Sequence, residues 1–333
     1  MRFRESVELF GSASHAWDAT NESPEKSAAS EGAERALERA ARAGARVIAF
    51  GDDDYPERLH VLGDPPPVLF ALGSLELLHA PCVAIVGTRR ATGYGERITA
   101  ELAGALARAG VTVVSGMARG IDGVAHRAAL GAGGGTAAVL GTGVDVAYPA
   151  SHRALHAEIA ARGLVLSEEL PGDRASGGSF PKRNRIIAAL AKTTIVVEAP
   201  HRSGALITAS WASDLNCAVG AVPGPIDVPQ SAGTNALLRD GAVMIADVAD
   251  ALLLAGVSAP RAASRPPADA TQLAIWDALE SPAPDLDTLA SRASLPARRC
   301  LAAVTALELD GLIECALTGE IRRRGLSSRP SDS

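Results

Sequence analysis

The stretch CVAIVGTRRATGYGERITAELAGALARAGVTVVSG, residues 82–116, decides the fold. It opens with five apolar residues, passes through a glycine-rich turn into a helix-like segment, and ends in a second apolar run, VTVV at 111–114. Continuous apolar runs on either side of a helical stretch are typical of parallel strands that are buried on both faces. The stretch therefore predicts a βαβ unit, and we expect its crossover to be right-handed.

The same alternation continues along the chain, with helical stretches between short apolar runs. These runs are TAAVL (136–140), LVLS (164–167), TIVVE (194–198), AVGAV (218–222) and VMI (243–245). The pattern predicts an α/β fold, an extended Rossmann-like parallel sheet with helices on both faces. Ligands of such sheets bind at the carboxyl ends of the strands, near the point where the strand order reverses.

The rest of the chain has a different character. After a Pro/Ala/Ser-rich stretch, three helical segments and the hairpin-like LIECALTGEIRRR, which turns at Thr318-Gly319, predict a small C-terminal winged-helix module. Residues 12–30 are polar and indicate a loop or disorder, whereas residues 31–43 could form an amphipathic helix. The predicted segments are 1–44 (a short helical N-terminal remnant, partly disordered), 45–255 (the Rossmann-like domain), 256–267 (a linker), 268–325 (the winged helix) and 326–333 (a disordered tail).

Charge and cysteine usage narrow the class of protein. The net charge of −6 arises in the first 81 residues, because residues 82–253 carry 15 basic and 14 acidic side chains. A nearly neutral middle can still hold a basic patch, since binding responds to the local field. The four cysteines are scattered without a CxxC pair, which fits a reducing compartment. The apolar runs are too short to span a bilayer, and no signal peptide is visible, so we expect a cytoplasmic protein without membrane contact.

The first strand-end loop, GTRRATGYG at 87–95, is a candidate anion site. Backbone N–H groups and the positive end of a helix dipole face the same place, and Arg89 and Arg90 add forked donors for phosphate oxygens. The loop is not GxGxxG, and no acidic residue ends the next strand, which disfavours an NAD site. A structural turn with exposed arginines is the alternative.

Two further loops carry similar chemistry. SGMARGIDGVAH (115–126) contributes Arg119, with Asp122 as a helix N-cap or first-turn residue. His126, one turn further on, is more typical of a packed helix histidine than of a catalytic one. In EAPHRSGALITAS (198–210), Ser203 and Gly204 open a helix directly after a strand.

The segment GGSFPKRNRIIAAL, residues 177–190, places three cations at the start of a helix. A helix N-terminus favours acidic residues, so Lys182, Arg183 and Arg185 are unfavourable there unless an anion joins them. Phe180 stands beside the cations. In proteins that bind single-stranded nucleic acid, cations contact the phosphates while a base stacks on an aromatic ring. A core position or a hydrophobic staple is the alternative for Phe180.

These loops define the candidate site. The predicted residues for binding single-stranded DNA or phosphate are Gly87, Thr88, Arg89, Arg90, Ser115, Gly116, Arg119, Gly120, Phe180, Lys182, Arg183, Asn184, Arg185, Ser203 and Gly204. HExxH, GxSxG and GxxxxGK[ST] are absent from the sequence. His152 and His156 have i, i+4 spacing but lack further ligands nearby. We therefore predict no catalytic residue, no cofactor and no metal.

At these residues the chain resembles the DprA/Smf family of DNA-processing proteins. The matching segments follow the family order, span residues 82–247 and extend upstream to about residue 50. They are VGTRRATGYG, VVSGMARGIDGVAH, TAAVLGTGVDVAYP, SEELPG, FPKRNRII, VVEAPHRSGALITAS and VPGPIDVPQSAGTNALLRDGA. Seven segments in the same order make the resemblance to this family highly specific, whereas any one segment alone would be weak evidence for it.

The resemblance implies more than the residues alone. It implies single-stranded DNA binding in a basic pocket, homodimerisation, and loading of the RecA recombinase onto incoming DNA during natural transformation. By matched position, Arg89 belongs to the phosphate loop, Arg119 to the SGxARGxD motif, and Phe180 to the stacking aromatic; Lys182, Arg183 and Arg185 match the basic cluster. The shortened N-terminal region and SDLNCAV, which lacks a Gly-Arg, depart from the family pattern.

Two alternatives stay open at this point. A nucleotide-binding or phosphoribohydrolase-like Rossmann enzyme would carry a PGGxGTxxE motif, whereas the comparable stretch here, HRSGALITAS, lacks the Glu. The winged helix could bind duplex DNA through Arg298 and Arg299. Because the module is slightly acidic, a protein-contact or structural role is an equal alternative.

Overall fold

A computed structural model describes residues 24–257, 267, 269–309, 312–316 and 319–323. The chain divides into two compact units, residues 1–259 and 260–333. Among the described residues, none of the helices combines the length and the apolar character that crossing a membrane requires.

The described part of the first unit is built on a nine-stranded sheet in the order β1-β2-β6-β5-β4-β3-β7-β8-β9. The strands are β1 (Arg46–Ala49), β2 (Val68–Gly73), β3 (Cys82–Val86), β4 (Thr112–Ser115), β5 (Thr136–Val139), β6 (Leu164–Ser167), β7 (Thr193–Val196), β8 (Ala218–Ala221) and β9 (Val243–Met244). Pairing is parallel from β6 to β9, whereas β1 and β2 add an antiparallel pair at the β6 edge.

Helices cover both faces of this sheet. They are α1 (Pro24–Ala43), α2 (Gly93–Arg108), α3 (Ile121–Gly131), α4 (Arg153–Arg162), α5 (Ser179–Leu190), α6 (Gly204–Asp214), α7 (Ala232–Arg239) and α8 (Val248–Leu254). Successive strand residues point to opposite faces, so Ile85 packs in the cluster with α2 and α3 while Val86 packs in the cluster with α5 and α6. The predicted fold class, a Rossmann-like sheet with helices on both faces, is confirmed.

The strand order reverses at β3. The chain builds β3, β4, β5 and β6 outward in one direction, and then returns to place β7, β8 and β9 on the other side of β3. The crevice between the carboxyl ends of β3 and β7 is therefore the topological switch point, where such sheets bind ligands.

Two local expectations differ from the structure. The sequence indicates a loop or disorder over residues 12–30, whereas α1 begins at Pro24. Proline is compatible with the first helical position, and the residues that follow are rich in Ala and Glu. The antiparallel pairing of β2 with β6 was not predicted. The N-terminal residues 1–23, which the sequence interpretation treated as partly disordered, lie outside the described residues.

Within its described residues, the second unit contains three helices and a hairpin. They are α9 (Ala270–Ala278), α10 (Leu286–Arg292), α11 (Ala297–Leu309), β10 (Ile313–Cys315) and β11 (Ile321–Arg323). Trp276, Leu289 and Ile313 belong to its own small core, and Ala283 forms a bridge to Ile321 beside the hairpin. Gly319 takes a left-handed φ of 91°, as the predicted turn requires, whereas Thr318 lies outside the described residues. The predicted winged-helix module is confirmed.

Candidate functional site

The loop after β3 presents two arginines to solvent from a rigid base. Gly87 has no room for a side chain, because a Cβ there would lie 2.5 Å from the Ile121 side chain. The N–H of Thr88 donates to the Glu198 carbonyl at 2.7 Å, and the Thr88 hydroxyl accepts from the Arg90 N–H at 3.2 Å. Arg89 and Arg90 are exposed beyond this base.

The loop after β4 packs against the first loop. Gly120 has a φ of 72°, and a Cβ there would meet the Thr88 carbonyl oxygen at 2.3 Å. The Ser115 hydroxyl is buried and donates to the Ile85 carbonyl at 2.6 Å. The hydroxyl proton of Ser115 is therefore already engaged within the protein, and the role of Ser115 in binding phosphate stays a prediction. Arg119, by contrast, is exposed at the tip of the loop.

Buried side chains hold the backbone of this second loop. Oδ2 of Asp122 accepts from the N–H groups of Gly116 and Ala118 at 3.1 and 3.4 Å. Nη1 of Arg183 donates to the carbonyls of Gly116, at 2.9 Å, and of Val139. Since the loop's polar groups are satisfied by fixed partners, Arg119 projects from a firmly held base.

Burial shifts the pKa values of the groups that hold the loop. It raises the pKa of Asp122, and the positive charge of Arg183 and the backbone N–H groups oppose that rise. Burial also lowers the pKa of Arg183 to about 10, against the influence of Asp122. Nη1 of Arg183 thus joins α5 to the loop after β4 and to β5. Because Arg183 also lines both cavities described below, its binding of phosphate stays a prediction.

Arg185 also departs from its predicted role. Its guanidinium forms two hydrogen bonds with Glu168, at 3.1 and 2.8 Å, and the two side chains are only 7% and 6% exposed. Nζ of Lys182 lies 3.3 Å from the same carboxylate. Glu168 thus supplies part of the negative charge that the three cations at the start of α5 require. The assignment of Arg185 to phosphate is corrected, because its guanidinium is paired with this carboxylate.

Phe180 lies at the centre of the candidate site. Its ring centroid is 5.0 Å from that of Tyr148, and the Arg89 guanidinium carbon lies 5.4 Å from the ring. Tyr148 is 45% exposed and was missed from sequence, although an aromatic residue following β5 was a usable signal. The neighbouring Asn184 is buried and donates to the Gly204 carbonyl at 3.2 Å.

Two cavities at this edge of the sheet are lined by the predicted residues. The inner cavity, of about 370 Å³, lies at the β3–β7 crevice. It is lined by Val86, Gly87, Arg89, Ala118, Asp122, Phe180, Pro181, Arg183, Asn184 and Ile187, together with Ser203, Gly204, Ala205, Ile207 and Thr208 at the start of α6. The outer cavity, of about 380 Å³, is lined by Arg89, Arg90, Gly116, Ala118, Arg119, Tyr148, Pro149, Ala150, Phe180 and Arg183. They share Arg89, Ala118, Phe180 and Arg183.

The predicted site residues fall into two groups, those that line one of the two cavities and those that line neither. Ten of them line a cavity: Gly87, Arg89, Arg90, Gly116, Arg119, Phe180, Arg183, Asn184, Ser203 and Gly204. Five line neither cavity: Thr88, Ser115, Gly120, Lys182 and Arg185. Thr88 and Gly120 belong to the packed junction between the two loops.

The histidines serve the packing of the same region. His126 is fully buried with Nδ1 2.7 Å from the Thr136 hydroxyl, and burial lowers its pKa to about 3. It is therefore neutral at physiological pH, in agreement with the expectation of a packed residue. His152 and His156 each bond a backbone carbonyl, of Met117 and Val144. In the described part of the chain, no group of three or more His, Cys, Asp or Glu could hold a metal ion.

The fold and the site define a class: a Rossmann-like α/β protein with arginine-lined cavities at the carboxyl edge, together with a winged-helix unit. Residues 46–255 match the family model of DNA recombination-mediator protein A, and residues 259–316 match the DprA winged helix domain. The first match covers more than half of the chain. The chain therefore belongs to the DNA recombination-mediator protein A family.

Individual relatives agree with this membership. A DNA processing protein DprA of Mycobacterium tuberculosis strain H37Rv is 41% identical over 312 residues, which cover 85% of this chain and 80% of that protein. Protein Smf of Escherichia coli strain K12 is 38% identical over 296 residues, covering 84% and 77%.

Solved structures of two relatives show the same fold. DNA processing protein A from Streptococcus pneumoniae superimposes with a TM-score of 0.61 at 41% identity, over 63% of this chain and 74% of that chain. The Helicobacter pylori protein, whose structure was described for its single-stranded DNA binding mode, gives a TM-score of 0.58 at 33% identity, over 65% and 99%.

Proposed function

We propose that this chain binds single-stranded DNA along the carboxyl edge of its sheet and acts in the cytoplasm. One observation carries the proposal: Arg89 and Arg90 from one loop and Arg119 from the next line the outer cavity together with the rings of Phe180 and Tyr148. Proteins generally bind single strands with cations that contact the nucleic-acid backbone and with aromatic rings on which the bases stack.

The charges of these arginines are available to a ligand. The ion pairs among the described residues do not include Arg89, Arg90 or Arg119, whereas Arg185 and Lys182 share Glu168. If each of the three arginines neutralises one phosphate, the log–log dependence of affinity on salt has a slope of about −2 from these contacts.

The test is a titration of fluorescent oligonucleotides at several salt concentrations. We expect single strands to bind with the salt dependence given above, and an Arg89→Ala/Arg119→Ala double variant to lose about 1.4 units of slope. Arg108→Ala is a matched control, because Arg108 is an exposed arginine at the far end of α2, toward the opposite edge of the sheet. Affinity that does not change with salt would contradict the proposal.

We also propose that the protein is a homodimer. The strand β9 is an edge of the described sheet, and both of its side chains, Val243 and Met244, are exposed. An exposed apolar edge strand is a surface that pairs readily with another chain. Light scattering should report a dimer for the wild type and a monomer for Met244→Lys; a monomeric wild type would contradict the proposal.

Loading of RecA recombinase onto DNA during natural transformation is the cellular role we propose. The support is membership of a family described as a recombination mediator, together with the proposed single-strand groove. The chain should raise the rate at which RecA assembles on single strands, measured by DNA-dependent ATP hydrolysis of RecA. An unchanged rate at saturating amounts of the chain would refute this role.

The winged-helix unit carries a further binding proposal. Arg298 and Arg299 lie exposed in the first turn of α11, where a recognition helix meets duplex DNA. Duplex DNA and a protein partner both remain proposals for this surface. Loss of duplex binding by the full chain in an Arg298→Ala/Arg299→Ala variant would favour the DNA; wild-type duplex binding by that variant would favour a protein.

We propose a binding protein rather than an enzyme. The alternative, a phosphoribohydrolase-like enzyme, needs a reactive carboxylate, and the buried Glu198 accepts from the Thr92 N–H at 2.9 Å and from its hydroxyl at 2.5 Å. Glu198 therefore holds the loop after β3. Release of free adenine from AMP by the purified chain would revive the enzymatic alternative.

A further inference from the structure

A third cavity, of about 510 Å³, is formed by residues outside the candidate DNA site. Its walls come from the β3–α2 loop, through Thr92 and Tyr94, from Glu198 just after β7, and from the segment between β8 and α7, residues 223–231. It shares no lining residue with the inner or the outer cavity. The proposed binding of single strands therefore makes no use of this third cavity.

The walls of the third cavity are mainly apolar and are held by hydrogen bonds. Pro223 and Val228 supply aliphatic surface. The hydroxyl of Tyr94 donates to the Pro223 carbonyl at 3.1 Å. The Asn235 side chain accepts from the N–H of Gly224 at 3.2 Å and donates to its carbonyl at 2.9 Å. These bonds fix the walls without engaging the two buried polar side chains that line the same cavity.

Ser231 is the first of these buried side chains, and its hydroxyl has no partner in the described part of the chain. It is 2% exposed, it does not cap α7, and its oxygen is not sealed from the cavity. The Ala199 N–H donates to the Gln230 carbonyl and the Gly233 N–H to the Ala199 carbonyl, both at 2.7 Å, so Ser231 lies beside the chain that follows Glu198. A buried hydroxyl without a partner is costly, which favours a ligand that bonds to it.

Glu198, the second buried side chain, places a negative charge in the same cavity. It is 2% exposed, and the ion pairs among the described residues do not include it. Its oxygens accept from the N–H and the hydroxyl of Thr92, and each carboxylate oxygen can accept a further hydrogen bond. The positive end of α2, which Thr92 caps, balances about half an elementary charge. The remaining negative charge favours a cationic donor.

The Tyr94 ring and the cavity volume indicate the kind of cation. The guanidinium carbon of Arg97, which is not a lining residue, lies 5.6 Å from the centroid of the Tyr94 ring, so this ring already attracts a planar cation. The volume of about 510 Å³ lies within the range of roughly 300–1,000 Å³ of small-ligand sites. A small planar cation with an aliphatic body therefore agrees with the ring, the apolar walls and the charge.

We propose that the third cavity binds a small guanidinium compound with an aliphatic body. The planar fork of a guanidinium presents paired N–H donors that match a carboxylate, so it donates to Glu198 and to the oxygen of the Ser231 hydroxyl. The aliphatic body packs against Pro223 and Val228. This site does not depend on the proposed binding of single-stranded DNA, because none of its residues lines the inner or the outer cavity.

The test is a titration of the full chain with n-butylguanidinium and with n-butylurea, followed by the amide NMR shifts of Tyr94, Gly224 and Val228. The two compounds have the same shape, but butylurea is neutral and carries a carbonyl in place of one amino group. Wild type should show saturable shifts with butylguanidinium and bind butylurea about tenfold more weakly or worse, because the charged hydrogen bonds are lost. Equal affinity for the two compounds, or no saturable shift at these amides, would overturn the proposal.

Variants of two lining residues locate the binding in this cavity. Val228→Lys places an ammonium group among the lining residues, so it should abolish binding of butylguanidinium while leaving Glu198 in place. Ser231→Ala removes an acceptor and should weaken binding several-fold; it tests the cavity should Val228→Lys fail to fold. Ser210→Ala is the matched control, because Ser210 is an exposed serine of α6, and it should bind as wild type does. Wild-type affinity in both lining variants would overturn the proposal.

A peptide arm tests whether the occupant is a free compound. A capped glycyl-arginyl-glycine peptide should bind no more tightly than butylguanidinium. Tighter binding of the peptide would overturn the small compound in favour of an arginine side chain on a partner protein. Oligonucleotide titration tests the single-strand function separately, and its failure would leave the outcome at this cavity unchanged.

Discussion

Arg119 and Arg185 have the same predicted role from sequence, and the structure gives them opposite expected effects when each is replaced by alanine. Arg119 is exposed at the tip of the β4–α3 loop and lines the outer cavity. Arg185 is buried against Glu168 and lines neither cavity. Arg119→Ala should therefore change DNA binding without changing stability, and Arg185→Ala should do the reverse.

The expected magnitudes follow from the contacts. Arg185→Ala leaves the Glu168 carboxylate buried without its two charged hydrogen bonds, and breaking a buried pair costs about 3–5 kcal/mol. Lys182, 3.3 Å from that carboxylate, remains to compensate in part, so we expect a loss of about 3 kcal/mol. Arg119→Ala removes no hydrogen bond of the described residues, and its effect on unfolding should stay within about 0.5 kcal/mol.

Urea denaturation followed by circular dichroism and oligonucleotide titration at several salt concentrations measure the two effects. With an m-value of about 2 kcal/mol/M, Arg185→Ala should lower the midpoint by about 1.5 M and keep the wild-type salt slope. Arg119→Ala should keep the midpoint and lose about 0.7 units of slope. An Arg185→Ala protein with wild-type stability and a reduced slope would refute the assignment of Arg185 to the ion pair.

Three further predictions concern the same region. Phe180→Ala should weaken single-strand binding by about 1–3 kcal/mol if the ring stacks a base, measured by fluorescence titration; wild-type affinity would contradict stacking. The folded pKa of His126, about 3, lies below its unfolded value of about 6.5, so its contribution is complete above pH 6.5 and is lost as pH falls toward 3. The free energy of unfolding should thus fall more steeply across that window in wild type than in His126→Gln, in which Asp122 still titrates; parallel curves would refute this. Gly120→Ala should lower the urea midpoint clearly, because φ is 72° and the new Cβ would meet the Thr88 carbonyl at 2.3 Å; an unchanged midpoint would be evidence against that packing.

The parallel sheet could be predicted from the sequence with little error. The apolar runs at 82–86, 164–167 and 218–222 correspond to β3, β6 and β8 within one residue, because strands buried on both faces are continuously apolar. The rule that ligands bind at the carboxyl ends of the strands, near the reversal of strand order, also predicts the edge of the sheet at which the two cavities lie. The β2–β6 pairing joins residues far apart in the chain, which local patterns do not contain. The start of α1 at Pro24, by contrast, is compatible with its local composition.

The candidate site could be predicted only in part. Arg89 and Arg119 were assigned from loops whose exposure follows from local sequence. Arg183 and Arg185 were indistinguishable from them, since their partners, the Gly116 carbonyl and Glu168, lie 67 and 17 residues away. Tertiary packing decides which face of α5 is buried and which is exposed. The spacing of the cations within FPKRNR does not contain this information.

The firmly held β4–α3 loop has a consequence for the thermodynamics of association. Asp122, Arg183 and His152 already fix its backbone in the free protein, so little conformational entropy remains for the protein to lose when a strand arrives. The ordering cost then falls mainly on the flexible nucleic acid. Chemically stiffened strands that match the groove should gain affinity, and the free and occupied backbones of residues 115–122 should superimpose closely.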